Sequence, residues 1–407
     1  MQRGSGDRVY PSGLQKAAWR YSARVAGALR VTATVIAAGI ALFYAQSAIA
    51  EPGVTAQSVL IGQSVSVTGP LGAIGIDYSE GFKVGLEDVN RRGGAHGRSI
   101  KLIHMDDGYE APRALANTKK MLDEDGVFML VGSLGTPGVG AVLPLLTERR
   151  VPLFAAFTGA DSLRREHNRY LFTVMASYGV EAEKMVQHLT TIGHKSIAVA
   201  YQNNSFGKDG LAGAEAALKR RQMTPVVAAS IETDARDANT AAQTIARAKP
   251  QAVLVMMAGK ATIEFTREFR KLDTAAQVLM LSVADTNQLL RELGQQAAGI
   301  VVAQTMPAPF LEKSPLSKEF RTLMKAAGKD AHIGYAAMTG FVSAKAFAKA
   351  LLLAGPEPTR ERFITAVQNS RSMDLSDYRL SFAPGQHHGG RYVELTMIRP
   401  GKSLFVY

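Results

Sequence analysis

From residue 59 to residue 281 the chain alternates short β-rich runs with amphipathic stretches, and this alternation constrains the fold more than any single motif. Val59–Val67, Ser99–Met105, Val127–Val131 and Val151–Ala155 read as strands. Asp77–Arg91, Pro112–Glu124 and Thr136–Arg149 read as the helices between them. The pattern restarts after residue 177. Helices over Val180–Ile192, Phe206–Arg221, Ala238–Ala248 and Ala261–Leu272 alternate there with strands over Ser196–Tyr201, Val226–Ile231, Ala252–Met257 and Val278–Leu281. A strand–helix alternation of this kind specifies parallel sheets covered by helices on both faces, an α/β class. Two successive runs predict two similar lobes. Open α/β sheets take ligands beyond the carboxyl ends of their strands. The loops after Val67, Met105, Val131, Ala155, Tyr201, Met257 and Leu281 are therefore expected to line one cleft.

Residues 1–50 read as an export signal. Arg20, Arg24 and Arg30 precede an apolar stretch from Val31 to Ala45, and Ala48-Ile49-Ala50 supplies a small-x-small cleavage pattern before Glu51. The apolar core is shorter than the roughly 20 residues of a spanning helix, so cleavage is expected over retention. No second apolar run of spanning length stands out, and the remainder is expected to be soluble outside the inner membrane. The chain contains no cysteine. That removes a disulfide framework, a thiolate metal site, a cysteine nucleophile and a lipid-bearing cysteine at the cleavage site. Of the net charge of +12, residues 1–50 hold six Lys/Arg and one Asp, which leaves +7 for the rest. The cations occur as scattered pairs such as Arg91-Arg92 and Arg220-Arg221, at expected helix ends where they complement the dipole. No basic stripe interleaved with aromatics is present, so a nucleic-acid partner is not expected.

The best local site signal is Gly132-Ser133-Leu134-Gly135-Thr136-Pro137. Thr136 suits an N-cap and Pro137 a first helical position, and the glycines leave backbone N–H groups approachable. A helix start of this type either binds a carboxylate or phosphate or is simply a capped helix. Thr158 ends the next strand, where its hydroxyl either reaches the same anion or caps locally. Gly69-Pro70-Leu71-Gly72-Ala73-Ile74-Gly75 has a G-x-x-G-x-x-G spacing, not the dinucleotide fingerprint, and is read as a cleft wall. Asp106-Asp107 lies about 31 residues beyond Gly75, too far for the ribose acid at roughly 20. Asp106-Asp107 is read as a strand-end turn, since no third metal ligand is in view. The His387-His388 pair in a glycine-flanked turn also lacks partners for a metal. Asp285 either pairs with a ligand ammonium or caps a helix beginning near Asn287. No nucleophile elbow, HExxH or P-loop occurs. An enzyme is not expected, and neither a metal nor a cofactor is called for.

Ile61-Gly62-Gln63-Ser64-Val65-Ser66-Val67-Thr68-Gly69-Pro70, Asn90-Arg91-Arg92-Gly93-Gly94, Gly97-Arg98 and Asp106-Asp107 resemble the leucine/isoleucine/valine-binding protein family, type I periplasmic solute-binding proteins of ABC importers. Val151-Pro152, Thr158-Gly159-Ala160, Tyr201 to Gly207 and Gly299 to Val302 extend the resemblance over nearly all of residues 57–407. It implies the type I periplasmic binding protein fold: two Rossmann-like lobes joined by three crossovers at a hinge, closing on a ligand. The expected partition is lobe I over 51–177 plus about 306–381, and lobe II over about 178–305 plus 382–407. The resemblance places a ligand carboxylate on Ser133, Leu134, Gly135, Thr136, Ala156 and Thr158. It also places an ammonium on Asp285 and a stacking ring at Phe206. It implies a monomer that delivers its solute to an inner-membrane ABC permease.

Several positions depart from that pattern. Ile74 stands where branched-chain binders carry an aromatic, Met175 where Arg is frequent, and Thr339 where an acid is common. Loss of a charged pair makes the expected cleft more apolar, so leucine does not follow as the ligand. Amino acids, aromatic acids, amides and short carboxylates all remain open. The expected function is capture of an amino acid or related small carboxylate for import. The second reading is a periplasmic sensing module that reports to a receptor or kinase. An exported nucleotide-dependent oxidoreductase is disfavoured by the glycine spacing.

Overall fold

A computed structural model describes residues 51–273, 275–399 and 402–406, the last as backbone only. The export-signal reading of residues 1–50 lies outside the described residues. Residues 51–407 form one compact unit by themselves.

The first sheet is built from β1 (Ser58–Val65), β2 (Ser99–Asp106), β3 (Met129–Val131) and β4 (Leu153–Phe154), in the order β2-β1-β3-β4 and all parallel. The helices α1 (Gly72–Arg91), α2 (Ala111–Asp123) and α3 (Thr136–Glu148) make its crossovers. The second sheet has the order β13 (Lys402–Val406), β12 (Glu394–Arg399), β9 (Val301–Gln304), β8 (Gln277–Met280), β7 (Ala252–Met256), β5 (Ile197–Gln202) and β6 (Ala228–Ile231). Its parallel members are β5, β6, β7, β8 and β9. They alternate with α4 (Tyr178–Thr191), α5 (Ser205–Lys219), α6 (Ala238–Arg247), α7 (Gly259–Leu272) and α8 (Thr286–Leu293). The central strands β5 and β7 are almost wholly buried, which is why they read as continuous apolar runs without alternation.

The chain passes between the two sheets three times. It leaves the first after β4 and enters α4. After β9 it returns to α9 (Pro315–Ala326), α10 (Tyr335–Leu353) and α11 (Arg360–Asn369), which pack on the first sheet's side with α1 and Phe128. After a short hairpin, β10 (Met373–Leu375) and β11 (Tyr378–Leu380), it crosses again. There β12 and β13 add an antiparallel edge to the second sheet.

One sequence expectation fails here. The helix α10 is long and apolar enough to cross a membrane by length and composition, although no second such run was expected. Its faces are instead buried in the protein. Gly81 and Gly85 of α1 let the two backbones approach so closely that a Cβ on Gly81 would lie 1.8 Å from the Ala337 carbonyl oxygen. Phe154 anchors the same core, with Phe363 edge-on at 5.5 Å between ring centroids.

Candidate functional site

All the strand-end loops of interest meet at one apolar cavity between the two sheets. From the first half come Leu71, Ile74, Tyr109, Leu134, Gly135, Thr136 and Phe157. From the second come Tyr178 and Phe206 in the first turns of α4 and α5, Ala258 just before α7, and Val283 after β8. The centre of a water-sized sphere has only about 20 Å³ to move in, enough for about one water, so a larger guest requires the walls to part. The halves touch at its edge. A Cβ on Gly259 would lie 2.1 Å from the Pro70 carbonyl oxygen.

Backbone geometry at this cavity explains the glycines. Gly132 and Gly135 have φ of +73° and +94°. A side chain at 132 would meet the Tyr78 hydroxyl at 2.4 Å, and one at 135 the Tyr109 ring at 2.6 Å. Tyr109 itself is in the left-handed region, φ +67°, an uncommon place for a bulky residue. The Asp106-Asp107 turn holds it there. Asp107 accepts from the Tyr109 N–H at 3.0 Å and from the Ser64 and Ser66 hydroxyls at 2.8 and 2.6 Å. Asp106 accepts from the Val67, Thr68 and Gly108 N–H groups and the Thr68 hydroxyl. Burial opposes its charge, yet these donors together hold its carboxyl down at about 2. The acidic pair is thus a loop scaffold.

The start of α3 is the polar end of the cavity. The structure places Gly135 at the N-cap and Thr136 at the first helical position, one residue earlier than expected. Gly135 has no side chain to cap with, Pro137 has no N–H, and the Val139 N–H goes to the Gly135 carbonyl. The N–H groups of Thr136 and Gly138 therefore have no acceptor among the described residues. The Thr136 hydroxyl lies 2.8 Å from that of Thr158, which also accepts from the Ala160 N–H. Burial pushes the Tyr178 phenol up to about 12 and raises Tyr109 further, so both remain protonated donors. Phe206 meets Tyr178 edge-on at 5.1 Å. The wall is otherwise apolar, with Phe157 stacked on Tyr78 at 4.7 Å.

Leu134, Gly135, Thr136 and Phe206 are thus brought together, while Thr158 stands behind them through Thr136. Ser133 is buried with its hydroxyl unpartnered, but does not line the cavity. The Ala156 N–H is occupied by the Phe172 carbonyl. Asp285 caps α8, accepting from the Asn287 and Gln288 N–H groups at 3.2 Å each, and is not part of the lining. Burial, and secondarily Asp77, raise its carboxyl to about 6.

Leu71 and Ile74, from the loop expected as a cleft wall, line the cavity, whereas sequence reasoning missed Tyr109, Phe157, Tyr178, Ala258 and Val283 as wall residues. All of these but Tyr178 lie in loops that follow strand ends, and that position was the available signal. Among the positions noted as departures, Ile74 lines the cavity, whereas Met175 offers its carbonyl to Arg164 and Thr339 bonds back within α10. His387 sits between Asn168 and Gln368, and His388 meets Thr173. No group of three or more residues able to hold a metal occurs among the described residues.

A sequence profile of the family described as "Periplasmic binding protein" matches residues 58–402. The chain is 27% identical over 170 residues to "Leu/Ile/Val-binding protein homolog 3" of Brucella melitensis, which covers 41% of this chain and 46% of that protein. It thus spans about half the length of the curated relatives it matches. The fold is similar to the crystal structure of a substrate-binding periplasmic protein from Ralstonia solanacearum. The TM-score is 0.81 and the identity 29%, covering 86% of this chain and 100% of that one. A possible leucine/isoleucine/valine-binding protein from Rhodopirellula baltica is also similar, at a TM-score of 0.80 and 27% identity, covering 86% and 96%.

Proposed function

This chain belongs to the periplasmic binding protein family, whose members bind solutes and are not enzymes, and we propose that it captures an amino acid or related small carboxylate for an ABC importer. The observation that carries the reading is the cavity between the two sheets, polar at the start of α3 and apolar elsewhere. In this reading the Thr136 and Gly138 N–H groups and the Thr136 hydroxyl take a carboxylate, helped by the positive end of the α3 dipole. The Tyr109 and Tyr178 hydroxyls add donors, and Phe206 and Phe157 pack on the tail. Thr158 acts by orienting Thr136. The two sheets with their helices act as lobes I and II with the boundaries given above, and the three crossings serve as the hinge. The solute enters with the walls apart, closure traps it, and an inner-membrane permease receives it. In the same reading, the signal over residues 1–50 directs export and is cleaved after Ala50.

A thermal-shift panel on residues 51–407 tests this, covering amino acids, aromatic acids and short carboxylates. A ligand at 100 times its dissociation constant adds about 2.7 kcal/mol of stability. The expected result is a shift with a carboxylate that Thr136→Ala weakens by about 1.5–3 kcal/mol, the worth of a hydrogen bond to a charged group. A shift indifferent to that substitution contradicts the head-group assignment.

A further inference from the structure

Among the described residues no acidic side chain lines the cavity, whereas its polar end presents hydrogen-bond donors. Most acids that flank lining residues in sequence are committed elsewhere; Asp77, three beyond Ile74, meets His332 through Oδ1 at 2.7 Å and keeps Oδ2 buried without a partner but outside the lining, and Glu110, next to Tyr109, is exposed. Glu181, one turn beyond Tyr178, accepts from both the N–H and the hydroxyl of Ser282. Asp285, two residues beyond Val283, caps α8, and Asp107, two before Tyr109, holds the serines of β1 and its extension. Asp209, three beyond Phe206, accepts from the Asp161 and Ser162 N–H groups at 2.8 and 2.7 Å. The positions that face the guest from the second half are instead Phe206, Ala258 and Val283, with the phenol of Tyr178.

An α-amino acid would bring an ammonium with three protons into this enclosure. A buried charge without a partner is costly, and hydroxyls held to one another by hydrogen bonds return little of that cost. A carboxylate meets the opposite situation: two N–H groups without acceptors, a helix N-terminus and two phenols that burial keeps protonated. Resting on the head-group reading above, we propose that the ligand is an apolar monocarboxylate without an ammonium, and that the site rejects α-amino acids of the same carbon skeleton. The aliphatic and aromatic walls at Leu71, Ile74, Leu134, Phe157 and Val283 take the hydrocarbon tail.

Calorimetric titration of residues 51–407 with matched pairs decides this: 4-methylpentanoate against leucine, and 3-phenylpropanoate against phenylalanine. The expected result is at least about tenfold tighter binding of the acid that lacks the ammonium, in one pair or both. Val283→Glu, which places a carboxylate in the wall, is expected to narrow or reverse that order. The wild-type pairs decide alone should this variant fail to fold. Leucine or phenylalanine binding as tightly as its partner acid, and weakened by Thr136→Ala, overturns this inference and leaves the head-group reading intact. Binding of neither kind of acid overturns both.

Discussion

Glu181 is fully buried, and its carboxyl is pushed up to about 8 from 4.5 by that burial, against the pull of its Ser282 donors. Between those values the folded chain keeps a proton that the unfolded chain has released, so stability falls as pH rises through the window. Asp285 has the same sign between 3.8 and about 6. His387 and His388, lowered by burial to about 4 and about 3, have the opposite sign and raise stability up to their ordinary value of 6.5. Above 6.5 these histidines no longer contribute, and the Glu181 effect stands alone among them. Unfolding free energies from urea titrations are therefore expected to fall from pH 6.5 to 8, by at most about 1.4 kcal/mol per pH unit, and to be flatter in Glu181→Gln. A second residue-scale expectation concerns the cap. Asp285→Ala should cost about 0.5–2 kcal/mol in denaturant unfolding and leave ligand affinity unchanged. An affinity loss with stability intact would restore Asp285 to the site. The sequence alone offered both roles for this residue, because a strand-end acid before a helix satisfies either. The wall residues Ala258 and Val283 were not legible, since an apolar residue past a strand end carries no chemical signal of what it faces.

At the scale of elements, the start of α3 depends on a backbone that only glycine adopts easily. Gly135→Ala would add a Cβ at φ +94° and drive it into the Tyr109 ring. It is expected to cost about 1–3 kcal/mol of stability and to weaken ligand binding, both readable in one thermal-shift titration. Unchanged affinity would remove this loop from the site. This helix was legible from its Gly-Thr-Pro punctuation, to within one residue. The strands and helices from 59 to 281 were likewise legible, because each amphipathic helix shows one apolar stripe and each buried strand a short apolar run. The last third was not. The helix α10 is buried on nearly every face by α1, α9 and α11, so it presents no polar stripe from which to read a period. The strands β10 and β11 are three residues each, too short to show alternation. The antiparallel β12 depends on pairing with β9, some 90 residues away, which no local pattern records.

At the scale of the whole molecule, the two sheets close on each other where Gly259 meets the Pro70 carbonyl. A methyl group there would hold the halves apart. Gly259→Ala is thus expected to lower ligand affinity at least about tenfold, a loss of about 1.4 kcal/mol. It should also abolish the ligand-induced decrease in radius of gyration in small-angle scattering. The presence of two lobes was legible in the restart of the pattern after residue 177, but the contact that closes them was not, because it joins residues 189 positions apart. Solute capture requires a guest to sit in the cavity between the sheets, and Ala258→Leu adds carbons that occupy that space. In a calorimetric titration with carboxylates, wild-type residues 51–407 should bind one equivalent, and the plugged variant should bind none while melting within a few degrees of wild type. Equal binding by the plugged variant would place the solute elsewhere on the protein.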